Sequence, residues 1–370
     1  MKVTQLSFMP IRQGVKEGSL SFQFGELSAL NSLILRVTSQ DGEHGFGVVE
    51  ATPPLGMPSA AIRHLLELFS GAIIGENADD HKGIMQRARR KLLHMNYSVA
   101  PVFAALDCAL HDLAARLQNI PLFEYLGGTN STEVSTVEVV PGGAHLGREE
   151  FFKTLRTQGI NAVKLKLTGN VIRDIDHVCF VRKTIGEGVK IICDANGAYS
   201  FENAKKVASS LETQGVSVFE QPIDGGDLPG MAALTAALPM DVEADESVCS
   251  AKDVQEVARL AAANCISIRI SRFGGIEQTM DVAKYCSEAG LSFRFGAMFA
   301  PSIASAISTH VILALTPQDH PHELTMHRQF TDDPFEGFHV NGSFAVIDPD
   351  SPGIGLQLRN EFNNFTSVGS

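Results

Sequence analysis

From about residue 133 onward, short apolar segments alternate with amphipathic helical segments at a spacing of about 25 residues. One strand, one helix and two short loops account for that length, and parallel strands require crossover connections of this kind. Eight such units predict a (β/α) barrel, in which parallel strands are surrounded by helices. The predicted strands lie near 134–140, 161–167, 189–194, 216–220, 241–246, 264–270, 291–296 and 320–325.

The region before the barrel has a different pattern, which indicates a separate α+β domain. Strand-like stretches begin near Val3, Leu33 and Gly45, and helical stretches follow them up to about residue 117. We predict an N-terminal α+β domain at 1–128, the (β/α) barrel at 129–326 and a C-terminal segment at 327–370 that returns to the N-terminal domain.

Composition excludes several classes of function. The formal charge of −12 is spread along the chain without a basic run, so a nucleic-acid partner is not expected. No apolar stretch is long enough to span a membrane and the first residues lack a signal-peptide core, so no membrane association is expected. The six cysteines stand singly, with no Cys-x-x-Cys pair, which favours a reducing, cytoplasmic location.

The second predicted strand contains the motif Lys164-Leu-Lys166. Because side chains alternate across a strand, both lysines are expected on one face, with Leu165 on the other. Two ammonium groups on the face of a buried strand need either anionic partners or a lowered pKa that suits proton transfer.

Three carboxylates provide such partners. Asp194, Glu220 and Asp245 end three successive predicted strands, at intervals of 26 and 25 residues. The C-terminal ends of barrel strands meet at the face where active sites of this fold occur. Three hard oxygen ligands without His or Cys suit Mg²⁺. Asn196, two residues beyond Asp194, is expected to point toward the same centre.

Each motif alone has an ordinary structural explanation. A Lys-x-Lys pair is more often a solvated strand face, and an acid at a strand end is commonly a helix N-cap. The ordered set, however, resembles the enolase superfamily, and its lysine motif and acid intervals are similar to the muconate lactonizing enzyme subgroup. The resemblance extends over nearly the whole chain, through Asp107, Glu220-Gln-Pro222, Ala244-Asp-Glu-Ser247, Gly274-Gly-Ile276 and Pro352-Gly-Ile-Gly355.

The resemblance implies the α/β fold class, with a barrel of the modified TIM type under a capping domain, and a homo-oligomer. It also implies a small-molecule carboxylate substrate bound to Mg²⁺ through Asp194, Glu220 and Asp245, whose α-proton is removed to give an enediolate. In the subgroup the second lysine, here Lys166, transfers the proton, and the first, here Lys164, lies near the substrate carboxylate.

The sixth predicted strand departs from the subgroup. Arg269 stands 24 residues after Asp245, where the subgroup usually has a lysine on the opposite face of the substrate. An arginine stays protonated and is a poor base. Two interpretations are open, namely an inner salt bridge with Asp245 or Glu246 and a direct contact with substrate. Alternation along the strand predicts that Arg272 faces outward.

This departure determines which reactions are expected. Racemisation requires groups on opposite faces, whereas Lys166 alone suffices for one-base β-elimination, dehydration or cycloisomerisation, which we favour. The alternatives are a racemase or epimerase of amino-acid, dipeptide or proline derivatives and a catalytically silent carboxylate-binding barrel. No histidine occurs at 294–300, unlike the mandelate racemase branch, and His310 is expected to pack within a helix.

The remaining candidates for substrate contact lie on the last two predicted strands. Met298 and Phe299 offer an apolar wall, and Glu323 offers an acceptor for a cationic or hydroxyl group. Each has a structural alternative: Met298 and Phe299 would pack against the capping domain, and Glu323 would cap the last helix.

Overall fold

The computed structural model describes residues 1–16, 20–22, 25–52, 56–92, 99–128, 131–140 and 149–369. The strands are β1 (Val3–Gly14), β2 (Leu20–Phe22), β3 (Gly25–Leu27), β4 (Ala29–Ser39), β5 (His44–Glu50), β6 (Glu133–Ser135), β7 (Glu138–Val140), β8 (Ala162–Lys166), β9 (Lys190–Asp194), β10 (Val216–Glu220), β11 (Asp241–Ala244), β12 (Cys265–Ile268), β13 (Ser292–Phe295), β14 (Phe335–Glu336), β15 (His339–Asn341), β16 (Phe344–Val346), β17 (Gln357–Leu358) and β18 (Thr366–Ser367).

The helices are α1 (Ser59–Ser70), α2 (His81–Arg90), α3 (Ala100–Leu117), α4 (Leu122–Tyr125), α5 (Glu149–Thr157), α6 (Val171–Ile185), α7 (Phe201–Thr213), α8 (Leu228–Ala237), α9 (Ala251–Leu260), α10 (Ile270–Phe273), α11 (Ile276–Glu288) and α12 (Ser302–Leu313). A 3₁₀ helix covers Met326–Gln329. Among the described residues, no helix is long and apolar enough to cross a membrane.

The N-terminal domain is built on an antiparallel sheet in the order β18-β1-β4-β5. Helix α3 covers this sheet and is buried along nearly its whole length. Strand β18 comes from the end of the chain and pairs with β1, Ser7 lying beside Ser367. The C-terminal segment therefore returns to the first domain. The predicted boundary after residue 128 adjoins residues 129–130, which lie outside the described part of the chain.

The second sheet contains seven parallel strands in chain order from β7 to β13. Its register places Lys166 beside Asp194, Asp194 beside Glu220, and Glu220 beside Glu243. Because parallel strands point the same way, these residues share one end of the barrel. The prediction of a (β/α) barrel with an α+β capping domain is confirmed.

The predicted strand at 320–325 differs from the structure, where only an isolated parallel bridge between Thr136 and His322 forms. The segment still closes the barrel, since His322 N donates to Ser135 O and Glu323 N donates to Phe295 O, each within 2.9 Å. The barrel thus closes through a short connection rather than a regular eighth strand.

Side-chain hydrogen bonds replace some of the backbone hydrogen bonds that a regular eighth strand would make. Thr136 Oγ1 donates to His322 O at 2.9 Å and accepts from Leu324 N at 3.0 Å, while Thr325 Oγ1 donates to Val137 O at 3.0 Å. Pro321 lacks a backbone N–H and cannot contribute a ladder bond. These threonine and proline residues explain why the strand pattern of the sequence is not realised.

The prediction for His310 is confirmed. It lies in α12, is fully buried, and its Nδ1 accepts a hydrogen bond from Phe123 N at 3.1 Å. Burial lowers the pKa of His310 to about 4, so the imidazole is neutral at pH 7.

Glycines permit the close packing of β5 against α3. A Cβ added at Gly47 would lie 2.0 Å from Ala105 O, and one added at Gly45 would lie 2.1 Å from Ala109 O. Both contacts are with helix backbone, which cannot move aside as a flexible side chain would. The helix and the strand therefore touch only because these two positions lack a side chain.

We expect Gly47→Ala to lower the free energy of unfolding by about 1–3 kcal/mol or more, because the new methyl group would push α3 away from the sheet. Gly71→Ala is the matched control, since Gly71 has a helical φ of −68° and no atom within 4 Å of an added Cβ. Urea unfolding of both variants tests this. Equal stability of the two would contradict the packing argument.

Candidate active site

Lys164 is enclosed at the barrel mouth, the end of the barrel where the C-terminal ends of the strands meet. Its side chain is 1% exposed, and its Nζ lies 2.9 Å from Asp194 Oδ2, 2.7 Å from Glu220 Oε2 and 2.6 Å from Glu323 Oε1. Burial alone would lower the pKa of Lys164, but the charges of these three carboxylates raise it well above 10.5. Lys164 is therefore a fixed positive charge.

Lys166 lies on the same face of β8 and is more open, with 20% of its side chain exposed. Its Nζ donates to Asp194 Oδ2 and, at 3.1 Å, to Asn196 Oδ1. Asn196 in turn donates from Nδ2 to Glu246 Oε1 at 2.9 Å, and its backbone N–H donates to Asp194 Oδ1 at 2.8 Å. Asn196 therefore connects the lysine with a carboxylate two strands away.

Asp194 is buried, yet its carboxyl stays ionised. Burial would raise its pKa, but the charges of Lys164 and Lys166 outweigh that effect and hold the pKa well below the usual range. The pKa of Glu220 is shifted in the opposite direction. Burial and the neighbouring charge of Asp194 raise the pKa of Glu220, against the attraction of Lys164. The site thus holds more carboxyl groups than its cations fully neutralise.

Two further charged residues lie inside the barrel, and sequence analysis missed both. Arg294 on β13 is fully buried, and its Nη1 lies 2.5 Å from Glu243 Oε2 and 3.3 Å from Glu220 Oε2. Strand alternation contains the signal for both residues. Glu243 stands two positions before Asp245, and Arg294 stands between two phenylalanines, so each charged side chain must face the barrel interior.

Asp245 is held by two arginines. Arg269 Nη2 lies 2.5 Å from Asp245 Oδ2, and Arg272 Nη1 donates to Asp245 O at 2.8 Å and to Oδ1 at 2.9 Å. Burial would raise the pKa of Asp245, but both guanidinium charges outweigh burial and hold it well below its usual range. Of the two interpretations of Arg269, a salt bridge with Asp245 is present.

The prediction that Arg272 faces outward is wrong. Strand β12 ends at Ile268, and residues from Ile270 to Phe273 form helix α10, so strand alternation does not apply to them. The helical turn brings the Arg272 side chain back toward Asp245.

The motifs quoted from the sequence hold the loops of the site. Gln221 Oε1 accepts from Asp245 N at 2.9 Å and from Ser247 N at 3.1 Å, which ties the loop after β10 to the loop after β11. Asp107 on α3 accepts from Ile276 N at 2.6 Å. The adjacent Gly275 has a φ of 140°, and a Cβ there would lie 2.5 Å from the Asp107 carboxylate. The capping domain is thereby fixed to the loop that follows Arg269.

Three of the five residues predicted to contact substrate, Met298, Phe299 and Glu323, have protein partners. Met298 shares a small apolar cavity with Val48 and Cys108 of the N-terminal domain. Phe299 packs on a cluster that contains Leu27. Both residues therefore contact the capping domain. Glu323 is engaged by two cations, Lys164 at 2.6 Å and Arg294 at 3.6 Å.

Asp194, Glu220 and Asp245 lie at the ends of neighbouring strands, but their oxygens point toward ammonium and guanidinium groups. Among the described residues, no three His, Cys, Asp or Glu side chains converge as a preformed metal-binding group. The barrel mouth is therefore a network of alternating charges, held by strands β8 to β13 and by the closing segment that carries Glu323.

Fold and site together define a barrel enzyme of the enolase type. Residues 148–362 match the enolase C-terminal domain-like family, and residues 14–127 match the mandelate racemase / muconate lactonizing enzyme N-terminal domain. The chain belongs to the mandelate racemase / muconate lactonizing enzyme family of the enolase superfamily.

Similar proteins include enzymes of two activities. The chain is 26% identical over 302 residues to a hydrophobic dipeptide epimerase of Enterococcus faecalis, covering 80% of this chain and 83% of that one. It is 23% identical over 334 residues to muconate cycloisomerase 1 of Acinetobacter baylyi, covering 88% and 89%. A dipeptide epimerase of Cytophaga hutchinsonii, complexed with Mg and D-Ala-L-Val, superposes with a TM-score of 0.90 at 19% identity, covering all of both chains.

We expect Arg294→Met to destabilise the protein by about 3–5 kcal/mol, because it leaves Glu243 and Glu220 buried without their cation. Arg259→Met is the control. Arg259 also pairs with a glutamate, at 2.6 Å, but its side chain is 65% exposed, and such pairs contribute at most about 1 kcal/mol. Chemical unfolding measures both. A loss for Arg294→Met no larger than for the control would show that the buried network does not depend on this arginine.

Proposed function

We propose that this enzyme abstracts the α-proton of a small carboxylate substrate in a Mg²⁺-dependent reaction, with Lys166 as its one base. The favoured overall reaction is β-elimination, dehydration or cycloisomerisation. The observation that carries the proposal is the salt bridge of Arg269 to Asp245, at 2.5 Å, at the position where a second base would be needed.

The contrast between the two lysines supports Lys166 as the base. Lys164 is enclosed by three carboxylates and holds its proton, whereas Lys166 has one carboxylate partner and an open side of its ammonium group. A base must reach the substrate and exchange its proton with solvent, and only the more exposed lysine meets both requirements.

The properties of Arg269 support a reaction in which Lys166 alone exchanges protons, on one face of the substrate. Burial alone would lower the pKa of Arg269, but the charges of Asp245, Glu323 and Glu220 raise it above its usual range. The guanidinium group therefore remains charged throughout the reaction. Its free donors suit a role in holding a substrate oxygen, together with Asn196, while Met298 and Phe299 would form the apolar side of the pocket.

The donor set fits Mg²⁺. Asp194, Glu220 and Asp245 supply hard oxygens on three neighbouring strand ends, which is the ligand type that Mg²⁺ prefers. Lys164 Nζ bridges Asp194 and Glu220 at 2.9 and 2.7 Å, so these oxygens already stabilise a cation between them. When bound, Mg²⁺ would supply Lewis-acid stabilisation of the substrate carboxylate.

The residues of the chain would then act in order. Lys164, as a fixed positive charge near the substrate carboxylate, would stabilise the negative charge that develops on the carboxylate oxygens. Lys166 Nζ, oriented by Asn196, would accept the α-proton. For elimination on the same face, Lys166 would return that proton to the leaving group.

A second candidate is epimerisation of a dipeptide or another amino-acid derivative. It is favoured by the similarity to the hydrophobic dipeptide epimerase, which covers 80% of this chain. It requires a proton donor opposite Lys166, a role for which a permanently charged arginine is a poor candidate.

Proton NMR in D₂O with Mg²⁺ tests the proposal on pooled N-acyl amino acids, dipeptides, hydroxyprolines, β-hydroxy acids and cis,cis-muconate. We expect loss of the α-proton signal of at least one acid, without inversion of configuration, and a fall of about 10²–10⁴-fold in that rate in Lys166→Ala. Lys153→Ala is the control, since that lysine is half exposed on α5 and its salt bridges within the described part of the chain are to Glu149 and Glu150. Inverted products would favour epimerisation, and no exchange with any acid would favour a silent carboxylate-binding barrel.

Mg²⁺ binding can be tested without a substrate. We expect Mg²⁺ at 100 times its Kd to stabilise the wild-type protein by about 2.7 kcal/mol. Asp245→Asn should lose most of that effect, because the amide keeps one acceptor oxygen for an arginine but loses the charge that attracts the metal. Glu256→Gln, a change on an exposed helix, is the control. Thermal unfolding with Mg²⁺ and with EDTA measures the effect, and an undiminished stabilisation in Asp245→Asn would exclude Asp245 as a ligand.

A further inference from the structure

Glu50 is a carboxyl group that the proposed reaction does not use. It ends β5 of the capping domain and was not singled out by sequence analysis, although an acid follows the apolar stretch Phe46-Gly-Val-Val. Its Oε1 accepts a hydrogen bond from Phe299 N at 2.5 Å, in the loop after β13. A carboxyl group of the capping domain therefore lies at the mouth of the barrel.

Glu50 has no salt bridge among the described residues, although two arginines are near enough for their charges to act on it. Arg269 and Arg272 instead direct their guanidinium groups at Asp245. Asp194, Glu220, Glu243, Asp245 and Glu323, the acids inside the barrel, each contact at least one lysine or arginine. The raised pKa of Glu50, together with its place at the barrel mouth, makes it a candidate functional group.

The location of Glu50 is opposite that of Lys166. Lys166 ends β8, the second strand of the sheet, whereas Arg269 follows β12, the sixth, and Phe299 follows β13, the seventh. In a barrel of eight positions, β12 is four positions from β8, which is half the circumference, and β13, whose following loop binds Glu50, is five positions from β8 in one direction and three in the other. A substrate bound between them would present one face to Lys166 and the other to Glu50.

The two oxygens of Glu50 differ in their environment. Oε1 accepts the Phe299 N–H, while Oε2 makes no hydrogen bond within the described part of the chain. Desolvation raises the pKa of Glu50 to about 7, against the lowering effects of the Phe299 N–H and of the charges on Arg269 and Arg272. The raised pKa makes the protonated carboxyl group accessible near neutral pH, and Oε2, which has no hydrogen-bond partner among the described residues, is the oxygen that would hold the proton.

We propose that Glu50 is the general acid of the site, which donates its proton to the substrate on the face opposite Lys166. The inference rests on the proposed function, because it requires the enediolate that Lys166 generates. It changes one step of that function: the leaving group receives its proton from Glu50 rather than from Lys166.

The step balances for a β-hydroxy acid. The α-C–H bond breaks, its proton goes to Lys166 Nζ, and its electron pair enters the enediolate. The β-C–O bond then breaks, its electron pair leaves with oxygen, and the Glu50 proton goes to that oxygen, so that water and an α,β-unsaturated carboxylate form. Lys166 then loses its proton to solvent and Glu50 regains one, which restores the enzyme.

Glu50→Gln tests this role with little change in shape, because the amide oxygen can still accept the Phe299 N–H. With a β-hydroxy acid that the wild-type protein exchanges in D₂O, we expect the variant to keep α-proton exchange within about 2-fold. Product formation should fall by about 10²–10⁴-fold, the usual contribution of a general acid. Glu43→Gln, an exposed acid of the same domain, should leave both rates unchanged.

A change of leaving group separates acid catalysis from positioning. Chloride leaves without a proton, so the β-chloro analogue of the same acid should react at nearly the wild-type rate in Glu50→Gln. A residue that only positions the loop after β13 would slow both substrates equally. Glu50→Asp keeps an acid and should lie between the wild-type protein and Glu50→Gln, which gives a second variant if one of them folds poorly by circular dichroism.

The outcomes distinguish the two proposals. If the wild-type protein exchanges the α-proton and Glu50→Gln forms product at the wild-type rate, the role of Glu50 is overturned and the proposed function stands. The same holds if Glu50→Gln loses α-proton exchange and product formation together. Absence of α-proton exchange in the wild-type protein, or exchange that survives Lys166→Ala, would overturn the proposed function and the role of Glu50 with it.

Discussion

The site depends on the enclosure of one positive charge, that of Lys164, by carboxylates from three different parts of the barrel. Burying an isolated charge costs several kcal/mol of folding free energy, about 3–5 kcal/mol when one partner of a buried pair is removed. Lys164 and its carboxylate partners therefore each depend on the other to remain charged inside the barrel. Because Asp194, Glu220 and Glu323 come from β9, β10 and the closing segment, this contact is possible only when the sheet has curled into a barrel. Folding and assembly of the charge network are therefore the same event.

The fixed charge of Lys164 allows the neighbouring ionisable groups to have different environments. Lys166 is two residues along the same strand, yet 20% of its side chain is exposed, and among the described residues Asp194 is its one carboxylate partner. Lys164 shares Asp194 with it and also binds Glu220 and Glu323. On the other side of the mouth, both arginines are directed at Asp245, and Glu50 forms no salt bridge with any described residue. Groups of similar chemistry thus acquire different properties from their partners.

Much of this arrangement was predictable from sequence. Parallel topology brings strand ends together, so the spacing of Asp194, Glu220 and Asp245 was enough to place them at one end of the barrel. Alternation correctly paired Lys164 with Lys166, and the same rule applied to Ser-Phe-Arg-Phe would have found Arg294. Arg272 was mispredicted because β12 gives way to a helical turn after Ile268, and local sequence contains no strong signal for that change. Glu50 belongs to another domain, and its contact with Phe299 follows from tertiary structure alone.

The closure of the barrel between β13 and β7 has a consequence for the electrostatics of the mouth. That connection consists of a few backbone hydrogen bonds and of the hydroxyl groups of Thr136 and Thr325, and it carries Glu323. If the connection opened transiently, Lys164 and Arg294 would each lose one counter-charge while the other strands stayed in place. Transient opening of this segment would therefore change the electric field across the barrel mouth. The affinity of the site for anions would then vary with the conformation of the closing segment.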